Sequence, residues 1–399
     1  MSGRIFFYVQ HLLGIGHLKR AAVIARALSR HGLAVDFVSG GAPVDDLDLA
    51  GGWLVQLPPA FSADAQFSAI HDGRGKPIDD LWRANRRRIL LDAFAARKPD
   101  LLLVEMFPFG RRQFAFELAP LIEAARARAV PVAISVRDIL VAKNKASRMA
   151  ETLALVNRDV GAVLVHGDPT LVRLDATFPR ASEIVPPVVY TGYVAEAPAP
   201  STRPAAEGNE ILVSAGGGAV GGPLLRAALA ARPATKAAGA PWRLIAGLNF
   251  PAGDYAKMAE SLPAGVTLER FRDDFPRLMG ASRLSISQAG YNTVMDILSG
   301  GVRALVLPFA EGAESEQTLR ARLLAARGLL SVIEPAAGRP LDPATLAAAI
   351  DLALDRPRPT LGGIDLDGAN ASARYLGQML GIAPVSGPPA SGSAIRGCP

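Results

Sequence analysis

The sequence predicts an α/β fold: two doubly wound parallel-sheet domains in tandem, facing each other across a central cleft. Three observations carry this. Short, continuous apolar runs alternate with helix-spaced patterns from one end to the other, as in strands buried on both faces of a parallel sheet. A Pro- and Ala-rich stretch over 196–209 interrupts the alternation. A second series of the same kind then begins, and two such sheets leave a cleft at the carboxyl ends of their strands, where ligands of doubly wound sheets bind. With 399 residues the chain is long enough for two domains, placed at 1–195 and 210–382 with 196–209 as linker and 383–399 as a flexible tail.

In chain order, 5–9 reads as a strand, 18–31 as a helix with apolar residues at helical spacing, and 34–39 as the next strand. Strands at 101–105, 132–136 and 162–166 each follow a helical stretch such as 83–96 or 116–128. Residues 58–80 hold Pro, Ser, Asp and Gly without clear period and read as a long loop at the mouth of the cleft. In the second half, 211–214, 243–246, 284–287, 304–307 and 330–333 are strands with helices between them. A helix over 371–380 is expected to pack back across the domain junction.

Composition removes several function classes. Half of the residues are hydrophobic and a fifth are charged, an ordinary globular balance. No apolar run approaches the roughly 20 residues of a membrane span, and the apolar opening over 4–9 is too short for a signal peptide. The lone Cys398 excludes internal disulfides and Cys-based zinc sites, so a cytoplasmic setting is expected. Lys and Arg total 43 against 37 Asp and Glu, with signs mixed along the chain, which favours anionic ligands mildly. Without interleaved aromatics or a binding motif, no nucleic-acid partner is expected.

The chemistry-bearing residues lie at the predicted strand ends. Gly14 and Gly16 permit a tight turn after the first strand, and His17 follows at the start of a helix. Glu105 ends a wholly apolar strand on the same side of the sheet, where a carboxylate beside a histidine would suit general-base work. Bland readings stand beside these: His17 as a packing or capping residue, Glu105 as the ion-pair partner of Arg111 or Arg112. Asp138, after strand 132–136, is a rival base, and His166 is expected to line the junction. In the second half, Gly216, Gly217 and Gly218 follow a strand and precede a helix, so backbone amides there could meet a phosphate or a sugar edge. Gln288, Ala289, Gly290, Tyr291, Asn292 and Thr293 follow strand 284–287, and the helix starting near Gly290 would aim its N–H groups at an anion. Asp296 lies one to two turns further on, placed for ribose hydroxyls, and Glu316-Gln317 sets an acid–amide pair at the cleft.

As a set, these segments resemble the GT-B glycosyltransferases, in which two Rossmann-like domains face a cleft, and most closely those of family 28. That family includes an enzyme that works on a lipid carrier in peptidoglycan synthesis and is related to nucleotide-sugar glucosyltransferases. The match is dense over 265–330. The resemblance implies that 287–293 and Asp296 hold the diphosphate and ribose, although the family carboxylate is usually Glu. It implies that Phe271 and Arg272 belong to the segment holding the uracil, and that Glu316 and Gln317 contact donor-sugar hydroxyls. Gly14, Gly16 and His17 resemble the family's acceptor-side glycine turn, and His17 with Glu105 falls where related glucosyltransferases carry a base dyad.

The resemblance further implies transfer from a nucleotide diphosphate sugar, a UDP-sugar first, to a hydroxyl acceptor, with inversion and without a divalent metal or other cofactor. The Asp-x-Asp runs at 46–48 and 365–367 read as solvated turns. The acceptor is small or lipid-linked. Basic residues over 82–91 with Leu12 and Leu13 could touch an anionic membrane surface, or 82–91 could be a solvated helix whose Ile89, Leu90 and Phe94 are core. Two other classes stay open: a sugar-nucleotide 2-epimerase of the same fold, and a non-catalytic nucleotide-sugar-binding protein.

Overall fold

The computed structural model describes residues 3–12, 14–45, 47–62, 69–140, 146–196, 208–216, 221–308, 316–334, 341–360 and 363–382. Gly217, Gly218, Leu13, Asp46, Cys398, most of the linker and the tail lie outside the described residues. The first half runs β1 (Arg4–Val9), α1 (Gly16–Arg30), β2 (Ala34–Ser39), β3 (Trp53–Gln56), β4 (Ala60–Ser62), β5 (Ile70–Asp72), α2 (Asp80–Arg97), β6 (Leu101–Glu105), α3 (Ala115–Ala127), β7 (Val132–Arg137), α4 (Ala146–Asp159), β8 (Ala162–His166) and β9 (Val188–Tyr190). The second runs β10 (Ile211–Ser214), α5 (Gly222–Ala231), β11 (Trp242–Ile245), α6 (Ala252–Glu260), β12 (Val266–Glu269), α7 (Phe275–Ala281), β13 (Leu284–Gln288), α8 (Tyr291–Gly300), β14 (Ala304–Leu307), α9 (Glu316–Ala326), β15 (Ser331–Val332), α10 (Pro343–Leu354) and α11 (Gly368–Met379).

Two parallel sheets result, ordered β3-β2-β1-β6-β7-β8-β9 and β12-β11-β10-β13-β14-β15. Both faces of each sheet are covered, which explains the continuous apolar runs. On β1, Ile5, Phe7 and Val9 enter a layer with Leu18, Ala22 and Leu28 of α1. Phe6 and Tyr8 enter the opposite layer with Leu90 and Phe94 of α2 and Leu118 of α3. Side chains alternate along a strand, so a strand apolar at every position must be buried on both sides. The register pairs Tyr8 with Val104, which brings the turn after β1 beside Glu105 at the end of β6.

Several expectations change. The region 58–80 is not wholly a loop: β4 and β5 pair antiparallel within it, fixed to the sheet end by Ala60 N–H to Gly40 C=O (3.1 Å) and Ser62 N–H to Leu12 C=O (3.1 Å). Three-residue strands are too short to show a period, which also hid β9. The last strand of the second sheet shrinks from 330–333 to Ser331–Val332. Leu12 is buried, not exposed, so it offers nothing to a membrane. On α2, Leu90 and Phe94 are core and Arg86 is wholly buried against Glu117 at 2.9 Å, while Arg87 and Arg88 are exposed, as in the solvated-helix reading. Among the described residues no helix is long and apolar enough to cross a membrane.

Helix α11 crosses back, as the apolar pattern near 371–380 suggested: its Ala369, Ala373 and Leu376 join the layer containing α1. The crossing is tight. Tyr193 N–H donates to Asp365 C=O (2.7 Å) and Gly368 N–H to Tyr193 C=O (3.0 Å). A Cβ at Gly368 would stand 2.3 Å from the Gly192 carbonyl oxygen, so only glycine permits this approach.

Candidate active site between the two sheets

Helix α1 begins at Gly16, two residues earlier than its apolar pattern suggests, so His17 lies in its first turn. Glu105, only 1% exposed, accepts through Oε1 from His17 Nδ1 at 2.6 Å and from the guanidinium of Arg20. Arg20 sits three residues after His17, on the same helix face. Neither ion-pair partner expected for Glu105 is used: Arg112 pairs with Glu151, and Arg111 Nε donates to Gln10 C=O at 2.9 Å.

Burial alone would raise the Glu105 carboxyl, but His17, Arg20 and Arg111 outweigh it and hold it far below the usual carboxylate range. His17 is pushed down to about 3, by burial first and then by the Arg137 guanidinium, against the pull of Glu105. At neutral pH the imidazole is therefore uncharged. With an ionised carboxylate on Nδ1, the ring proton sits there and Nε2 carries the free lone pair. The His17 side chain keeps 18% of its surface open.

The rival base does not survive the geometry. Asp138 is fully buried, its Oδ2 accepting from Tyr193 Oη (2.7 Å) and its Oδ1 from Arg320 (2.7 Å) across the junction. It anchors one domain to the other and has no oxygen turned toward an acceptor. His166 is likewise interior to the first domain, its Nε2 against Ser135 Oγ (2.7 Å) and its Nδ1 against Thr191 Oγ1 (2.9 Å). Burial and then Arg20 push it to about 3, so it is a neutral structural histidine, not a cleft-lining one.

Glu316 opens α9 and accepts from Arg137 Nη1 (3.1 Å to each oxygen) and Arg320 Nη1 (3.0 Å). Burial would raise it, yet Arg137 and Arg320 hold it at about 2. Here it is an interdomain ion-pair partner and does not stand free for a sugar hydroxyl; Gln317 follows it, partly buried. Between these charges lies Tyr291, whose ring is 5.1–5.4 Å from the guanidinium carbons of Arg20, Arg137 and Arg320 and whose hydroxyl accepts from Val194 N–H (3.1 Å). Its side chain thus fills the junction, and only its backbone belongs to the start of α8.

Helix α8 begins after Gly290 with no side-chain cap, leaving the N–H groups of Tyr291, Asn292 and Thr293 without intrahelical acceptors. Asn292 Nδ2 reaches Gly16 C=O at 3.5 Å, so the starts of α1 and α8 face one another, and a Cβ at Gly16 would lie 3.6 Å from that amide. Ala289 is buried beneath the turn. Gln288 Oε1 approaches Gly216, whose φ of +71° suits glycine, so the glycine-rich turn and the α8 segment are adjacent. Phe271 is 48% exposed with Lys19 Nζ 5.9 Å from its ring, while Arg272 is held by Asp274 (2.8 Å). Asp296 is partly buried and has no hydrogen-bond partner among the described residues; burial pushes it up to about 7, with Lys19 opposing. No group of three His, Cys, Asp or Glu among the described residues could hold a metal ion.

Sequence reasoning missed Lys19, Arg20, Arg137 and Arg320. Arg20 was findable from its spacing to His17; the others depend on how the two domains meet.

Residues 252–358 match the model of the glycosyltransferase family 28 C-terminal domain. The structure of CalG4, the calicheamicin glycosyltransferase, is similar over 95% of this chain and 98% of its own, at 17% identity and a TM-score of 0.62. MurG of Acinetobacter baumannii is similar over 96% of this chain and 99% of its own, at 16% identity and a TM-score of 0.57. UGT71G1 of Medicago truncatula, complexed with UDP-glucose, is similar over 94% of both chains, at 14% identity and a TM-score of 0.54. The chain therefore has the GT-B fold of glycosyltransferases, and its segment 252–358 matches the family 28 C-terminal domain.

Proposed function

We propose that this protein transfers a sugar from a UDP-sugar to a hydroxyl acceptor, with inversion at the anomeric carbon and with no metal or further cofactor. The observation that carries the reading is the His17–Glu105 pair, 2.6 Å apart at strand ends of the first sheet, facing the uncapped start of α8 in the second. Neutral His17 takes the acceptor's hydroxyl proton on Nε2 while the acceptor oxygen attacks C1 of the sugar and the bond from C1 to the diphosphate oxygen breaks. The diphosphate receives the electron pair, and the amides opening α8 with the Gly216 turn stabilise its charge. Glu105 stabilises the imidazolium that forms.

The low value of His17 fits this sequence of events. Burial and the positive charge of Arg137 hold the imidazole neutral in the free protein. A diphosphate bound at α8 adds negative charge nearby and raises the proton affinity of His17 as the donor arrives. The base therefore strengthens when its substrate is in place.

Asp296 takes the ribose hydroxyls and Phe271 lies beside the base. Match of 252–358 to family 28 and the UDP-glucose in the Medicago truncatula neighbour support the choice of donor. The acceptor is a small or lipid-linked hydroxyl compound met in the cytoplasm. Calorimetric titration with UDP against wild type and Asp296→Ala tests the donor half: binding lost in the variant supports it, and no binding of any nucleoside diphosphate by wild type refutes it. His17→Ala tests the other half, because UDP should still bind while transfer falls by about 10²- to 10⁴-fold.

A further inference from the structure

Four guanidiniums lie around His17 and the Tyr291 ring, and three of them have carboxylates: Arg20 with Glu105, Arg320 with Asp138, and Arg137 with Glu316. Arg111 has none within ion-pair distance among the described residues, although it is partly buried. Burial lowers its proton affinity first; the charge of Glu105, already shared with His17 and Arg20, opposes this, and Arg137 and Arg20 add to the lowering against the phenol of Tyr8. A partly buried guanidinium with no carboxylate of its own, its fork open beside the base, suits an anion that arrives with a ligand.

Its mounting is fixed. Arg111 has φ +56°, in the left-handed region that residues with a Cβ seldom occupy, and its Nε is tied to Gln10 C=O at 2.9 Å. Among the described residues its two terminal nitrogens make no hydrogen bond and remain for a ligand. Among the described residues its side chain bonds only to the first domain, at the end of β1, whereas the proposed diphosphate position is at α8 in the second.

We infer that Arg111 binds an oxyanion group of the acceptor, so that the acceptor is a hydroxyl compound bearing a carboxylate or a phosphate close to the hydroxyl that reacts. This rests on the proposed function, because it takes the first domain as the acceptor side and His17 as the base. A planar guanidinium donates paired hydrogen bonds to either oxyanion, and a neutral acceptor would leave the Arg111 fork without an anion.

Two matched pairs of probes test this: 4-hydroxybenzoate with its methyl ester, and glycerol 3-phosphate with glycerol. Each is titrated by calorimetry against the full chain, with and without saturating UDP. At least one anionic probe should bind wild type roughly tenfold or more tightly than its neutral partner, and the pair that shows the preference identifies carboxylate or phosphate. Arg111→Gln should weaken that probe by roughly 10- to 100-fold, and Arg111→Lys by less, because it keeps the charge but loses the fork. UDP affinity should be the same in all three proteins. No preference for either anion in wild type, or a preference that survives in Arg111→Gln, overturns the inference. So does a loss of UDP affinity in Arg111→Gln matching the loss for the probe, which would give Arg111 to the donor diphosphate. Failure of UDP to bind wild type would count against the proposed function instead, and the titrations without UDP keep the two results apart.

Discussion

Replacing Glu105 by Gln removes one charge from a pair of side chains each about 1% exposed and leaves Arg20 with no ionised partner. Breaking a buried ion pair from one side costs about 3–5 kcal/mol. The amide oxygen of Gln still accepts a hydrogen bond, so a loss of about 3 kcal/mol is expected. For a domain of this size that lowers the melting temperature by about 6–12 °C. Because Glu105 is held far below the ordinary carboxylate value, its contribution is present above roughly pH 5 and is lost only as pH falls toward the folded value. The same change removes the acceptor that fixes the proton on His17 Nδ1 and the charge that stabilises the imidazolium, so kcat for sugar transfer should fall by about 10³-fold. Differential scanning calorimetry and initial-rate assays measure the two effects. Adding Arg20→Met to Glu105→Gln separates them: most of the stability should return, because the buried charge that Glu105 had paired directly is gone as well, while the rate stays low. A single variant that melts within about 2 °C of wild type and turns over within about threefold would refute the reasoning.

Asp138→Asn should lower the melting temperature, because Arg320 then keeps only Glu316 as a carboxylate partner, yet reduce kcat by less than about tenfold, whereas His17→Ala should do the reverse; a rate loss in Asp138→Asn equal to that of His17→Ala would restore Asp138 as the base. Asp296, raised to about 7, holds a proton in the folded state that the unfolded chain has released between about pH 4 and 7, so its contribution to stability declines as pH rises through that window. Ribose hydroxyls favour its charged form, so UDP should bind up to about tenfold more tightly at pH 8 than at pH 6, and Asp296→Asn should abolish the slope; equal slopes would refute the assignment. Nitrogen NMR of the His17 ring should show a neutral Nδ1–H tautomer at pH 5 and a titration midpoint near 3 that moves upward when UDP is added; a charged ring at pH 5 in the free protein would overturn the electrostatic account.

The two sheets were legible in the sequence because a strand buried on both faces must be apolar at every position, as 101–104 is. Strands β3, β4, β5 and β9 were not, since three or four residues at a sheet edge carry no period and Trp53 on β3 is 61% exposed. The meeting of His17 and Glu105 followed from one rule, that parallel strands end on the same side. What that rule could not supply was the partner of each acid. Arg137–Glu316 and Arg320–Asp138 join residues 179 and 182 apart in sequence, and they exist only because the second domain rests on the first. Asp138 and His166 stood at the right strand ends for chemistry, yet their burial among donors gives them structural work, and strand-end position alone does not report burial.

The return of α11 to the first sheet has a consequence for dissecting the protein. The sequence suggests a cut in the linker, but a fragment ending at 195 would lack Ala369, Ala373 and Leu376 and would present the apolar flank of α1 to water. The folding unit that carries His17 is therefore assembled from two separated stretches of chain, and nicking or shortening the far end should be felt at the beginning. The place where it should be felt first is helix α1, on which His17, Lys19 and Arg20 are all mounted.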